Sequence, residues 1–218
     1  MGYFIVGDIH GCDYTFSTLL QHWNRATEKL ICVGDYVDKG NFSSLATQRC
    51  MALDQDTSLD TVFLKGNHEL EFIRHFETGD NPSWYDKVGQ TSISQFERDE
   101  VDLPQAVAWF KQLPIKFDAP ELLVTHAGLA DTVAPLNELN LKGILWNKQP
   151  LMNIHKLQVH GHKHLRAYAP QYDTEANAWN IDTGACYGFG LCALRLNSHG
   201  EVLEQIFIKT DKRDYSAS

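Results

Sequence analysis

Apolar runs and short amphipathic segments alternate along the first third of the chain. Tyr3–Val6 is a short apolar strand, and Asp13–Asn24 carries Phe16, Leu19, Leu20 and Trp23 at helical spacing. Leu30–Val33 predicts a second strand and Phe42–Met51 a second helix, with Thr61–Leu64 and His68–Phe76 as a third pair. This strand-helix order predicts a mainly parallel sheet covered by helices. Residues 78–100 are polar, and Gly79, Asp80, Asn81 and Pro82 mark a loop, part of it a variable lid. Pro104–Leu113 returns to helical spacing. The second half is richer in strands: Ile115–Phe117, Leu122–Thr125, Lys156–Val159, Trp179–Ile181, Leu191–Leu196 and Val202–Ile208. Asn197-Ser198-His199-Gly200 joins the last two as a hairpin turn. No repeat, low-complexity tract or linker interrupts the pattern, so a single domain over 1–218 is expected, frayed after about Lys212.

Composition narrows the classes. The chain has 218 residues, 43% hydrophobic and 22% charged, as in ordinary globular proteins. Its net charge of −9 argues against broad nucleic-acid binding, because phosphate backbones need a basic face. The five cysteines form no CxxC pair, which excludes a zinc ribbon or a disulfide scaffold and suits a reducing cytoplasm. No apolar run reaches the ~18 residues of a membrane span. The first strand begins so early that no signal peptide is expected.

The informative residues stand where strands end. Gly7-Asp8-Ile9-His10-Gly11 follows the first strand, and Gly34-Asp35-Tyr36-Val37-Asp38-Lys39-Gly40 the second. Lys65-Gly66-Asn67-His68-Glu69 follows the third, and Thr125-His126-Ala127-Gly128 and His160-Gly161-His162-Lys163-His164 close two later ones. Ligands gather at the carboxyl ends of strands in open α/β sheets. Carboxylate, imidazole and amide oxygen suit borderline-hard divalent metals such as manganese, iron or zinc. The donors are too many for one ion and sufficient for two, the arrangement that clamps phosphorus during in-line attack.

The string GDIHG…GDYVDKG…GNHE…HAG…HGHKH resembles the calcineurin-like metallophosphoesterase superfamily, and within it the bacterial and phage members of the phosphoprotein phosphatase family. Ile144-Leu145-Trp146-Asn147 and Ile181-Asp182-Thr183-Gly184-Ala185 match late segments of that family. The resemblance implies an α/β sandwich of two mixed β-sheets flanked by α-helices, with a dinuclear metal site at the strand ends. It implies that Asp8 and His10 hold one ion, Asp35 bridges both, and Asn67, His126 and His162 hold the second. The ions are expected to be manganese, with iron or zinc as alternatives. His68 becomes the general acid, oriented by Asp38, while a metal-bridging hydroxide attacks phosphorus.

Lys39, Lys65 and Lys148 stand where the family usually carries phosphate-gripping arginines, which predicts weaker, less orientation-specific phosphate binding. His164 is a further candidate ligand if its segment is extended, and it keeps a phosphodiesterase reading open. Glu69 is expected to hold its loop rather than react. The implied substrates are phosphoserine and phosphothreonine proteins. The alternative is a nucleotide such as diadenosine tetraphosphate, for which Tyr36, Trp84 and Tyr85 are candidate base-stacking residues. A metal-binding module acting through partners is a third class, and the paired His68 and Asp38 argue against it.

Overall fold

Alternation along the first strands divides the interior into two cores. In β1 (Gly2–Val6), Phe4 and Val6 join the helix-side core, while Ile5 points into a second core. In and just beyond β2 (Glu28–Cys32) the same split recurs, with Leu30 and Cys32 on one side and Ile31 and Val33 on the other. Successive side chains of a strand face opposite ways, so a strand apolar on both faces lies between two layers. The computed structural model describes residues 1–79, 81–165 and 168–216.

The first sheet has the order β10-β9-β1-β2-β3. Here β3 is Thr61–Phe63, β9 Gly190–Leu196 and β10 Val202–Lys209. β1, β2 and β3 are parallel, as the sequence predicts, and β9 and β10 extend the sheet antiparallel. The second sheet has the order β4-β5-β6-β8-β7. It consists of Lys116–Asp118, Leu122–Thr125, Leu157–His160, Ala178–Asn180 and Gln171–Asp173 in that spatial order. β5, β6 and β8 are parallel, and the two edge strands are antiparallel to their neighbours. Ile5, Ile31, Leu122, Val124, Val159, Ile181 and Leu194 fill the space between the sheets.

Helices cover the other face of the first sheet. These are α1 (Asp13–Leu19), α2 (Ser43–Gln55), α3 (Asn67–Thr78), the single turn α4 (Pro82–Trp84), α5 (Gln90–Arg98) and α6 (Leu103–Gln112). Phe16, Cys50, Phe72, Phe96 and Phe110 from five of them meet Phe4 and Leu30 in one core. The expected helix 13–24 is shorter, because a 3₁₀ turn at Leu20–His22 ends it and Trp23 is already extended. The Trp23 indole donates to the Glu28 carbonyl (3.0 Å), which turns the chain into β2.

Two expectations are corrected. Residues 82–98 are helical, not a loop: α4 runs through a π turn at Tyr85–Gly89 into α5. Their polarity misleads because Ser92 and Gln95 are buried polar residues with partners. Gln95 accepts from the Ser43 N–H (2.6 Å) and donates to the Gly40 carbonyl (2.9 Å), bracing the loop after β2. Asp80, one of the expected turn residues, lies outside the described residues.

The C-terminal segment is also anchored beyond Lys212. Asp214 is fully buried, and its carboxylate accepts from the Thr15 N–H (2.8 Å), the Thr15 hydroxyl (2.5 Å) and the Tyr14 N–H (3.1 Å). Its carbonyl accepts from the Asn41 N–H (2.9 Å). Unpaired buried donors cost about 1–3 kcal/mol each, so Asp214→Ala should lower unfolding stability by at least ~2 kcal/mol. Urea denaturation measures this, and an unchanged midpoint would show that the segment contributes nothing.

Candidate metal centre

Parallel pairing aligns the carboxyl ends of β1, β2 and β3 in one sheet and those of β5, β6 and β8 in the other. Backbone bonds then tie the strand ends together. Ile9 and His10 donate to the Asp35 carbonyl (3.1 and 2.8 Å), Gly11 to Tyr36 (2.8 Å) and Gly161 to His126 (2.8 Å). Each connection turns at once. His10, Asp35, Asp38, Lys39 and His162 all have positive φ, at +46°, +55°, +71°, +70° and +67°. Such backbone costs on the order of 1 kcal/mol or more per residue and persists where surroundings impose it, typically at functional sites.

Two groups of side chains result, and they share one carboxylate. His10, Asp35 and His68 form the first; Asp35, His126 and His162 form the second, with all ligand atoms in each group within 4.8 Å of one another. Asp35 Oδ2 is 3.3 Å from His10 Nε2, and Oδ1 is 3.4 Å from His126 Nε2. Oδ1 also accepts from the His68 backbone N–H (3.1 Å). Asn67 Oδ1 joins the second group, 3.0 Å from His126 Nε2 and 2.8 Å from His162 Nδ1.

The donor set fits divalent cations. His10 Nδ1 is 2.9 Å from the Val37 carbonyl, and His126 Nδ1 is 3.1 Å from the Val33 carbonyl. A carbonyl only accepts, so each Nδ1 carries a proton. In the neutral ring Nε2 then turns its lone pair toward the carboxylate, as a metal-ligating histidine does. His162 Nε2 is buried with no hydrogen-bond partner, a property shared among the described residues only by His75 Nδ1. Burial, then the neighbouring His126, push the His162 pKa down to about 3, leaving the ring neutral.

Positive charge is favoured next to Asp35, at His126. Burial opposes ionisation of His126, yet Asp35 and Asp8 raise its pKa to about 9. Burial would raise the Asp35 pKa, but His126, His68 and His10 hold it well below the usual range. The Lys39 ammonium lies 2.7 Å from His10 Nε2, a cation beside an atom that would ligate an ion. Glycines keep the carboxylates close, since a Cβ on Gly66 would collide with Asp35 Oδ1 and one on Gly161 with Asp8 Oδ1.

The remaining expected residues are placed less uniformly. Asp8 is buried and takes the His162 backbone N–H on both oxygens (2.9 and 3.2 Å), and it belongs to neither group. Burial, then Asp182, raise its pKa. His68 Nδ1 meets Asp38 Oδ2 at 2.6 Å, and its Nε2 is 3.9 Å from Asp35 Oδ2. Lys65 is paired with Glu138 (3.1 Å) rather than open to a ligand. Lys148 lines a cleft of about 540 Å³ with Asn147, His160 and Lys163.

His164 does not meet the condition for ligation. The left-handed turn at His162 breaks the extended segment, and His164 joins neither ligand group. His164 is exposed, and its ring lies tilted at 41° against Tyr187 with centroids 4.6 Å apart.

The loop-holding role expected of Glu69 is found, and other contacts have little sequence signal. Glu69 is fully buried and accepts from the backbone N–H groups of Asp35 (2.8 Å), Tyr36 (2.8 Å) and Gly66 (2.9 Å). It thus locks two strand ends together, and burial plus Asp35 raise its pKa to about 7. Its signal is its place three residues into α3, closing a capping box. Asp182 is buried close enough to Asp8 to raise its pKa, in a segment whose motif gave it no role. Trp84 and Ser92, which contact Asp38, carry no motif at all.

Comparison with known proteins agrees with this geometry. The calcineurin-like phosphoesterase family model matches residues 1–196. The chain is 30% identical over 202 residues to serine/threonine-protein phosphatase 2 of Salmonella typhimurium, covering 84% of this chain and 88% of that one. It is 27% identical to the asymmetrical bis(5'-nucleosyl)-tetraphosphatase PrpE of Anoxybacillus flavithermus, covering 89% and 90%. The crystal structure of a putative diadenosine tetraphosphatase has the same fold, with a TM-score of 0.69 at 19% identity over 96% of this chain and 95% of that one. The chain belongs to the calcineurin-like phosphoesterase family. It is a metallophosphoesterase, a hydrolase whose two His/Asp groups fit the family's dinuclear divalent site.

Proposed function

We propose that the chain is a metal-dependent phosphomonoester hydrolase acting on phosphoserine and phosphothreonine in proteins. The observation that carries the reaction class is one buried carboxylate, Asp35, shared by two ligand groups beside the His68–Asp38 pair. Asp8, His10, Asp35, Asn67, His126 and His162 would hold two divalent ions, manganese as first choice. Bound there, the ions supply Lewis-acid polarisation of the phosphoryl group and activation of water. His68 donates the proton to the leaving oxygen, and Asp38 fixes its ring through Nδ1. Lys39, Lys65 and Lys148 neutralise the phosphoryl oxygens, Lys65 after leaving Glu138. The whole chain acts as one catalytic domain, because β10 lies beyond residue 196 yet completes the first sheet. No helix among the described residues is long and apolar enough to cross a membrane. Five free buried thiols support a reducing cytoplasm.

Two observations favour a protein substrate over a dinucleotide. The Salmonella typhimurium relative is a serine/threonine-protein phosphatase matched over most of both chains. The aromatic residues expected to stack a base are otherwise engaged. Tyr36 is buried with its hydroxyl on the Leu64 carbonyl (2.7 Å), Trp84 is buried against Asp38, and Tyr85 stacks on His75 at 4.9 Å. The nucleotide reading rests on several tetraphosphatase relatives, that of Anoxybacillus flavithermus matched over most of both chains. Phosphate release from a phosphothreonine peptide, set against hydrolysis of diadenosine tetraphosphate by the same manganese-loaded protein, separates the two. A higher kcat/KM on the dinucleotide would reverse the assignment.

A lysine is a point charge, whereas an arginine fork grips two phosphate oxygens. Lys39→Arg should therefore lower KM for a phosphomonoester by roughly 3–10-fold, about 1 kcal/mol of charge-assisted hydrogen bonding. Steady-state kinetics measures this, and an unchanged KM would show that residue 39 does not contact the phosphate.

A further inference from the structure

We propose that Trp84 and Ser92 are positioning residues for proton donation by His68, acting through Asp38. This rests on the reading of His68 as general acid. Asp38 is fully buried, and each of its oxygens is committed. Oδ2 receives the His68 Nδ1 proton (2.6 Å) and the Trp84 indole N–H (2.7 Å), and Oδ1 accepts from the Ser92 hydroxyl. The Asp38 backbone N–H is held by Ser43 Oγ (3.0 Å). The carboxylate is thereby fixed in rotation as well as in place, with one lone pair aimed at the imidazole. The His68 ring is fixed in turn, and its Nε2 faces the shared Asp35 from 3.9 Å.

The two supports come from a segment shaped to deliver them. Trp84 ends α4 and Ser92 lies in α5, and the π turn between them brings both to the same carboxylate. The indole packs edge-on against Phe72 (5.2 Å), and Gly89 leaves room for it, because a Cβ there would collide with the ring. A buried carboxylate needs partners in any protein. These two, however, sit on the oxygens that orient a proton donor, and small misplacements of such groups reduce rates strongly.

Leaving-group dependence distinguishes positioning from simple support of the fold. p-Nitrophenolate leaves readily without a proton, whereas phenolate needs one. The manganese-loaded wild type, Trp84→Phe, Ser92→Ala and each change combined with His68→Asn are compared on p-nitrophenyl phosphate and phenyl phosphate. Trp84→Phe keeps the ring packing and removes the N–H. It should lower kcat on phenyl phosphate about 10-fold or more, a part of the roughly 10²–10⁴-fold worth of a general acid. The loss on p-nitrophenyl phosphate should be several-fold smaller, with KM unchanged and no further loss once His68 is Asn. Ser92→Ala removes one hydroxyl and little packing, so it tests the inference even if Trp84→Phe weakens the fold. Equal losses on both esters, or losses that persist in the His68→Asn background, would overturn the inference and leave the hydrolase reading standing. A wild type without metal-dependent turnover would overturn both.

Discussion

Asp35→Asn should remove more than 99% of turnover and release bound metal from both positions. The substitution preserves shape and removes the one negative charge that faces His10 on one side and His126 on the other. Residues that merely orient metal ligands are worth ~10–100-fold, and a ligand shared by two ions should exceed that. The backbone of the turn should survive, because Glu69 holds the Asp35 N–H independently of its side chain. Elemental analysis after dialysis, together with kcat, gives the answer. Two ions per chain and near-normal turnover would remove Asp35 from the bridging position.

His68→Asn should lower kcat by roughly 10²–10⁴ while metal content stays unchanged. Its Nδ1 is taken by Asp38, and its Nε2 lies on the edge of the first ligand group. That position allows two roles, and the variant separates them. Unchanged metal with collapsed kcat identifies a proton donor. Loss of one ion would identify a ligand, and an unaffected rate would remove His68 from the chemistry.

Much of the architecture was legible because burial on both faces writes itself as unbroken apolar runs. β1, β2 and β5 lie close to where their sequences predict. The edge strand β7 was not legible, since Gln171, Tyr172 and Asp173 are all exposed and only the ladder to β8 makes them a strand. Residues 82–98 failed for the opposite reason: their buried polar residues serve the loop after β2 rather than solvent.

The convergence of strand ends was legible where particular residue types recur there, and His10, Asp35, Asn67 and His126 do lie together. It was not legible where geometry chooses. Nothing in the spacing of His162 and His164 foretells that φ at His162 is +67°, which leaves His164 outside. Nor does any motif foretell that Glu138 pairs with Lys65 across 73 residues. Trp84 reads as a candidate base-stacking aromatic until its ring is found buried with its N–H on Asp38.

The most direct measurement is the hydrolysis rate of p-nitrophenyl phosphate against bis(p-nitrophenyl) phosphate, on protein loaded with manganese and on a chelated control. The account predicts a clear preference for the monoester, abolished by chelation and restored when about two equivalents of metal are returned. A preference for the diester, or a rate indifferent to chelation, would contradict it.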